Sequence, residues 1–150
     1  MEAEQMVNLL RRVRHDFANH LQVIGGYLEL GWTEQMSAYI KEITAGINQE
    51  RIIFEAVAPA YALYFYEQLL MVRDMGIILV YEDLDVKTAD CLIAANEPVR
   101  SIAALQPDIP PGEDEPVLYV SIHEDESGIE MYFNGDGWEG ESRRTRINKE

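Results

Sequence analysis

The sequence predicts an α+β protein in which a helical hairpin is followed by a small α/β layer. Two observations support this fold class. Apolar residues recur at helical spacing through residues 1–57, whereas the spacing changes after Val57-Ala58-Pro59 to short β-branched and alternating runs. We therefore predict two domains, a helical hairpin over residues 1–57 and an α/β domain over residues 58–150.

The first helix is predicted from Ala3 to Leu30, because its apolar residues follow one heptad frame. Gly25 and Gly26 interrupt the frame, and we interpret them as points of close packing against a neighbouring helix. Gly31 then marks the predicted end of the helix. The a and d positions of the frame are Val7, Leu10, Arg14, Phe17, Leu21, Ile24 and Leu28.

The second helix is predicted from an N-cap at Thr33 to about Glu50. The short connection predicts that the two helices fold back as an antiparallel hairpin. A hairpin of this size has too little interior to be stable alone. We therefore predict a homodimer in which two hairpins form a four-helix bundle. The apolar stripe of the second helix consists of Met36, Ile40, Ile43 and Ile47.

The remaining chain predicts a mixed layer with one exposed hairpin. Pro98 implies a break within, or the start of, the helix predicted near it. The predicted elements are a helix Tyr61–Met75 ending at Gly76, a strand Ile77–Glu82, a helix Ala89–Ala104, a loop Pro107–Pro116, strands Val117–Glu124 and Ile129–Phe133 joined by a turn at Glu126-Ser127-Gly128, and a frayed tail containing Arg143, Arg144 and Arg146.

Composition narrows the class of protein. No run approaches the ~20 apolar residues of a membrane span. The acids Glu2 and Glu4 do not fit a secretion signal, and the single cysteine, Cys91, rules out an internal disulfide and suits a reducing compartment. The net charge is -15, with -3 over residues 1–59 and -12 over residues 60–150. We expect a cytoplasmic protein that binds neither nucleic acid nor membrane.

His15 is the candidate functional residue. A neutral imidazole is a nucleophile near pH 7, and His15 lies at a b position beside the apolar seam of the first helix. Arg14 is adjacent to it, and Asn19 follows on the same face one turn later. Asp16 projects about 100° away, which leaves its contact with the ring open. The plain alternative is a solvated histidine without a chemical role.

The stretch from Arg14 to Gly31, RHDFANHLQVIGGYLELG, resembles the phosphoacceptor helix of the sporulation-initiation phosphotransferase B family. It is also similar to the R-H-[DE]-[FWY]-x-N helix of sensor histidine kinases. The resemblance implies that His15 is a phosphoacceptor supported by Arg14 and Asn19. It further implies that response-regulator receiver domains dock beside it, over Asp16, His20 and Gln22. His20 stands where these phosphotransferases often have a lysine.

The second half resembles a reduced ATP-binding domain of the histidine-kinase type. The segment from Tyr132 to Trp138 is similar to the kinase motif D-x-G-x-G, but Phe133 replaces the adenine-binding aspartate. The asparagine-centred helix motif that holds Mg²⁺ in kinases has no convincing match, because Asn96 lies in the right region but is followed by Glu97-Pro98, where kinases continue the helix. Only thirteen residues follow Gly137, too few for a nucleotide lid. We expect no intrinsic cofactor, and we interpret Gly135 and Gly137 as a plain turn.

Three functional hypotheses follow. The first is a phosphorelay phosphotransferase without autokinase activity, in which His15 carries a phosphoryl group between response-regulator aspartates and the regulator supplies the Mg²⁺. The second is a kinase-like protein with unusual ATP binding, which Phe133 disfavours. The third is a non-catalytic adaptor or inhibitor that binds a kinase or regulator through its bundle. The three histidines lack zinc-type spacing, and Cys91 is interpreted as a small buried side chain.

Overall fold

The structure, a computed structural model of the chain, describes residues 2–110, 112, 114–136 and 142–149. It confirms the α+β class, with helices first and a four-stranded sheet after them. The main elements are α1 Ala3–Leu30, α2 Thr33–Ala56, α3 Pro59–Asp74, β1 Ile78–Asp85, α4 Asp90–Ala95, α5 Val99–Leu105, β2 Val117–Glu124, β3 Gly128–Gly135 and β4 Arg143–Asn148; a 3₁₀ turn covers Gln106–Asp108.

The end of α1 is fixed by Gly31, as the sequence predicts. Gly31 has φ +71°, a left-handed conformation that glycine adopts without steric cost. The Gly31 N–H donates to the Leu28 carbonyl at 3.1 Å, and the Trp32 N–H donates to the Tyr27 carbonyl at 2.9 Å. This pair of bonds is a Schellman motif, which satisfies carbonyls left open at the end of a helix.

The bounds of α2 differ from the prediction at both ends. The Trp32 carbonyl accepts the first helical bond, from the Met36 N–H at 3.1 Å, so Thr33 is already helical and is not the N-cap. At the other end α2 continues past Glu50 to Ala56. Ile53 is fully buried there, and this burial keeps the last turns helical. The helix stops before Pro59, where a proline disfavours continuation.

The chain divides into two compact units, Met1–Gln49 and Glu50–Glu150. The functional boundary that the sequence suggests at residue 57 stays a prediction. No described residue of the first unit is buried. Among the described residues, no helix is long and apolar enough to cross a membrane.

The second unit is a sheet in the order β1-β2-β3-β4. β1 pairs with β2 in parallel, and β2, β3 and β4 form an antiparallel meander. Alternation along the strands puts one row of apolar side chains into a core, which α3 also lines. The sheet residues of this core are Leu79, Tyr81, Leu84, Leu118, Val120, Ile122, Ile129, Met131 and Phe133.

One prediction for the second unit is confirmed and another is wrong. The break that Pro98 implies within Ala89–Ala104 is present, and the segment forms two helices, because Asn96 adopts φ +53° and a new helix begins after Pro98. The tail expected to be frayed forms β4, an edge strand paired with β3. Ile147 lies opposite the buried Ile129, and Arg146 lies opposite Glu130, so the arginines belong to an alternating strand.

Gly128 permits the close approach of β3 and β4. A Cβ atom at this position would run into the Ile147 carbonyl oxygen on the neighbouring strand. The turn before it is held by Asp125, whose carboxylate accepts hydrogen bonds from the N–H groups of Ser127 and Gly128 at 2.8 and 2.9 Å. The predicted hairpin turn is confirmed at this position.

Candidate functional site

His15 lies near the middle of α1 with its ring in solvent. Its side chain is 74% exposed. The helix around it runs without a break from Ala3 to Leu30, so the ring is carried on a regular backbone. An exposed imidazole on a rigid helix can be reached by a second protein, which a buried ring could not.

Two neighbours contact the Nδ1 atom of His15. The Asn19 amide lies 3.4 Å away, measured from Nδ2, and comes from one helical turn later. The Asp16 carboxylate lies 3.7 Å away, measured from Oδ1. The Asp16 carboxylate therefore lies near the His15 ring, a contact that the sequence left open. The distance is longer than a hydrogen bond, so the interaction is electrostatic.

These contacts bear on which ring nitrogen can react. The Nε2 atom of His15 has no hydrogen-bond partner among the described residues. With a proton on Nδ1, the Asp16 carboxylate stabilises that tautomer and Nε2 keeps its lone pair. Rotating the Asn19 amide by half a turn would bring its carbonyl oxygen to accept from the same Nδ1–H. The neighbourhood can thus hold Nε2 ready as a nucleophile.

Arg14 and Gln22 are both exposed but lie differently around the helix. Gln22 follows His15 by two turns and shares its face. Arg14 precedes His15 by one residue, on the side opposite to Asp16, and is the polar member of the heptad seam. Among the described residues, Arg14 makes no contact with the His15 ring, so its supporting role stays a prediction.

His20 faces α2 instead of the exposed side of α1. Its Nδ1 atom is hydrogen-bonded to the Tyr39 hydroxyl at 2.7 Å, and the two rings are 5.7 Å apart. Tyr39 also meets Tyr27 edge-on at 6.1 Å. Burial, the Glu42 charge and Tyr27 together raise the pKa of the Tyr39 phenol. Tyr39 therefore contacts α1 at His20 and at Tyr27, which are two helical turns apart.

Sequence reasoning did not find Tyr39. It is 19 residues from His20, and an aromatic residue beside a predicted apolar stripe gives no specific signal. Its effect on the site is indirect, since it fixes the side of α1 that faces α2. Asp16, His20 and Tyr27 are all half-buried and lie on that side.

The predicted heptad seam forms a different side of α1, and it is exposed in the chain. Phe17 lies about 160° round the helix from His15. An apolar surface of this extent on a helix commonly marks a protein contact. The exposed seam residues are Val7 (45%), Leu10 (54%), Phe17 (60%), Leu21 (54%) and Leu28 (63%).

The residues that resemble a nucleotide site are used for packing. Phe133 is fully buried in the sheet core. The Asn96 side-chain oxygen accepts a hydrogen bond at 2.9 Å from Gln68, which is itself buried. Gly137 and Trp138, the end of the glycine motif, lie outside the described residues. Within the part of the chain that the structure describes, no three His, Cys, Asp or Glu side chains are grouped to hold a metal ion.

Comparison with known proteins gives a match for the helical hairpin. Residues 1–56 match the family model described as the SpoOB-type sensor kinase, alpha-helical domain. This segment contains α1, with His15, and α2. No curated protein matches the chain significantly. A domain of this type indicates a protein of two-component signalling. The match of residues 1–56 to this family model confirms the resemblance of the RHDFANHLQVIGGYLELG stretch, which lies within it.

Proposed function

We propose that this protein is a phosphorelay phosphotransferase that carries a phosphoryl group on His15 between the aspartates of two response regulators. The observation that carries the proposal is the exposed His15 ring, held at Nδ1 and open at Nε2, within the segment that matches the family. A carrier needs little more, because phosphoryl transfer depends mostly on positioning and charge stabilisation.

The proposed step is an in-line transfer. The Nε2 lone pair of His15 attacks the phosphorus of the regulator's aspartyl phosphate, the Nε2–P bond forms, and the P–O bond to the aspartate breaks. The aspartate leaves as a carboxylate. The proton stays on Nδ1, and the positive charge on the ring is stabilised by Asp16 at 3.7 Å. In the reverse step, an aspartate of a second regulator attacks the phosphorus, the Nε2–P bond breaks, and the phosphoryl group passes to that aspartate.

Asn19 and Asp16 have separate roles in this proposal. Asn19 sits within 3.4 Å of Nδ1 and orients the ring, while the Asp16 carboxylate stabilises the charged intermediate. Gln22 extends the same exposed face and would contact the regulator. The Mg²⁺ required for transfer would be held by the regulator's own acidic pocket, and this protein would bind no cofactor.

The exposed seam of α1 supports a homodimer. Burying the exposed part of five large apolar side chains would contribute roughly 1 kcal/mol for each of them. A second hairpin with the same seam would cover this surface and complete a four-helix bundle. His15 would remain accessible in such a bundle, because Phe17 marks a side of the helix far from it.

We further propose that the second unit is a degenerate ATP-binding domain without kinase activity. The buried Phe133 ring cannot accept a hydrogen bond from adenine, and the Asn96 oxygen is occupied by Gln68. These positions support a carrier that receives its phosphoryl group from a partner. In a cytoplasmic signalling pathway that partner would be a receiver domain phosphorylated on its aspartate.

Transfer between two receiver domains tests the proposal. A receiver labelled at its aspartyl phosphate is mixed with this protein and with a second, unlabelled receiver, and the label is followed in time. We expect the label to reach the second receiver through an acid-labile intermediate on this protein. His15→Gln should abolish both the intermediate and the transfer.

His123→Gln is the matched control. His123 lies in the second unit with its side chain 43% exposed, so the same substitution there should leave transfer unchanged. Transfer that persists in His15→Gln would eliminate the carrier role. Tight receiver binding without any transfer would support the adaptor hypothesis, and incorporation of label from ATP alone would support the kinase hypothesis.

A further inference from the structure

A groove runs between the short helix α4 and the edge strand β4 in the second unit. The cleft measures about 550 Å³, within the range of ligand and side-chain pockets. Its apolar part consists of Ala94 and Ala95 on α4, and Ile147 on β4. The groove is lined by residues of the second unit, so it contains neither His15 nor any residue of the segment 1–56 that matches the family.

The outer side of β4 has no hydrogen-bonded strand among the described residues. β4 pairs with β3 on one side only, and it contains neither a proline nor a bulge in its register. β1, the other edge, differs because its register shifts between Tyr81 and Asp83. A bulge protects an edge from pairing, whereas the arginines of β4 disfavour a basic or apolar strand but not one of opposite charge, so β4 is the edge that can accept an acidic strand.

The two faces of β4 would present different chemistry to such a strand. Ile147 lies opposite Ile129 and Thr145 opposite Met131, both fully buried, so these two side chains lie on the core side next to the cleft. Arg144 lies on the other side, opposite Tyr132, and its side chain is 58% exposed. An added strand would alternate its side chains between these two sides.

Charge also distinguishes this strand from the rest of the chain. The chain has a net charge of -15, yet β4 carries three arginines in six residues. Arg146 is largely covered and bonded to Asp125 and Glu130. Arg143 and Arg144 are exposed at the beginning of the strand. Arg144 donates to Glu130 at 2.8 Å through one nitrogen, which leaves further donors of its guanidinium for a second carboxylate.

From these observations we infer that the α4/β4 groove binds an extended acidic peptide by strand addition. The peptide backbone would pair with the outer edge of β4. A carboxylate would meet Arg144, and an apolar side chain three residues away would enter the cleft beside Ile147 and Ala94. Main-chain bonds supply affinity in this mode of recognition, while alternate side chains supply specificity.

Peptides of defined pattern test the inference on the full chain. The probe is a short fluorescent peptide in which glutamate and valine alternate. We expect saturable binding by anisotropy, with amide shifts in the NMR spectrum concentrated at Thr145 and Ile147. The same peptide with lysine in place of glutamate, or with a central proline that removes an N–H donor, should bind much more weakly.

Variants locate the site. Arg144→Glu should weaken binding at least about tenfold, because it replaces attraction by repulsion at a charge-assisted contact. Ala94→Phe should also weaken binding, since the ring would fill the cleft from an exposed helical position that folds with either residue. Arg100→Glu is the matched charge reversal, at an exposed position of α5, and it should leave binding unchanged.

Four outcomes would overturn the inference. They are no saturation up to about 1 mM peptide, equal binding of the lysine peptide, wild-type affinity in both Arg144→Glu and Ala94→Phe, and displacement of the peptide by ATP, which would make the groove a nucleotide site. Sedimentation adds a fifth. If Ala94→Phe alone removed an assembly that the wild type forms without peptide, the occupant would be a second copy of this chain.

Discussion

The two units of this protein bury their apolar residues very differently. Unit 2, residues 50–150, encloses a core in which Phe65, Ile122 and Phe133 are fully buried. Unit 1, residues 1–49, has no buried residue among those described, although its helices are just as regular. The sheet unit has an interior of its own, whereas the hairpin leaves apolar side chains exposed. We therefore predict that the hairpin requires a partner surface and that the sheet unit does not.

The largest expected effect comes from charging the exposed seam. Phe17→Glu combined with Leu21→Glu should abolish dimerisation and most of the hairpin's thermal stability, because a buried unpaired carboxylate costs several kcal/mol. Sedimentation equilibrium and helical circular dichroism check this. The sheet unit should retain its own transition. As a control, Gln22→Glu lies on the exposed face and should stay dimeric.

A core substitution should show the reverse pattern. Phe133→Ala removes a fully buried ring from the sheet unit and should destabilise it by about 3–5 kcal/mol. The hairpin should remain dimeric and helical. Chemical denaturation followed by the amide NMR signals of each unit, together with sedimentation, measures the two units separately. If both units of Phe133→Ala unfolded together in a single destabilised transition, the two units would not fold independently.

Acid should weaken the sheet unit before it weakens the hairpin. Hydrogen bonds from Arg146 and Ser127 lower the pKa of Asp125, and a hydrogen bond from Tyr132 lowers the pKa of Glu130. Because both folded pKa values lie below the unfolded ones, this stability is complete above about pH 5 and is lost as pH falls through about 4 and below. Thermal melts between pH 7 and 3 check it. Arg146→Met should reduce the change of melting temperature with pH. An unchanged pH dependence would contradict the stabilising role of the Arg146 contacts.

The smallest effect concerns the contact that orients α1. Tyr39→Phe removes the hydroxyl bonded to His20 and should destabilise the hairpin by about 1 kcal/mol. Tyr27→Phe is the control, since the Tyr27 hydroxyl has no hydrogen-bond partner among the described residues. Equal melting temperatures for the two variants would show that the His20–Tyr39 bond contributes nothing.

The sequence predicts the hairpin more completely than the sheet unit. Heptad spacing and Gly31 are local signals, and they are sufficient for α1 and its end. The same spacing does not tell which apolar residues face α2 within the chain, and the structure shows that the heptad seam is not that side. His20 and Tyr39 were not paired in the prediction because no local pattern connects residues that far apart.

β4 shows why the edge of the sheet was missed. Its sequence, RRTRIN, has one strongly apolar residue, and polar edge strands resemble a disordered tail. The available signal was the alternation of Thr145 and Ile147 with arginines, together with the acids of the preceding hairpin that pair with them. The helix break at Asn96 was foreseen only through Pro98, because a left-handed asparagine has no reliable sequence signature.

In the proposed function, the Nε2 atom of His15 carries the phosphoryl group. Phosphorus NMR and peptide mapping of the protein, after incubation with a phosphorylated receiver domain, test this most directly. We expect one acid-labile phosphohistidine at position 15, substituted on Nε2, that is present in His123→Gln and absent in His15→Gln. Phosphate on another residue, or none on a protein that still transfers label between receivers, would contradict it.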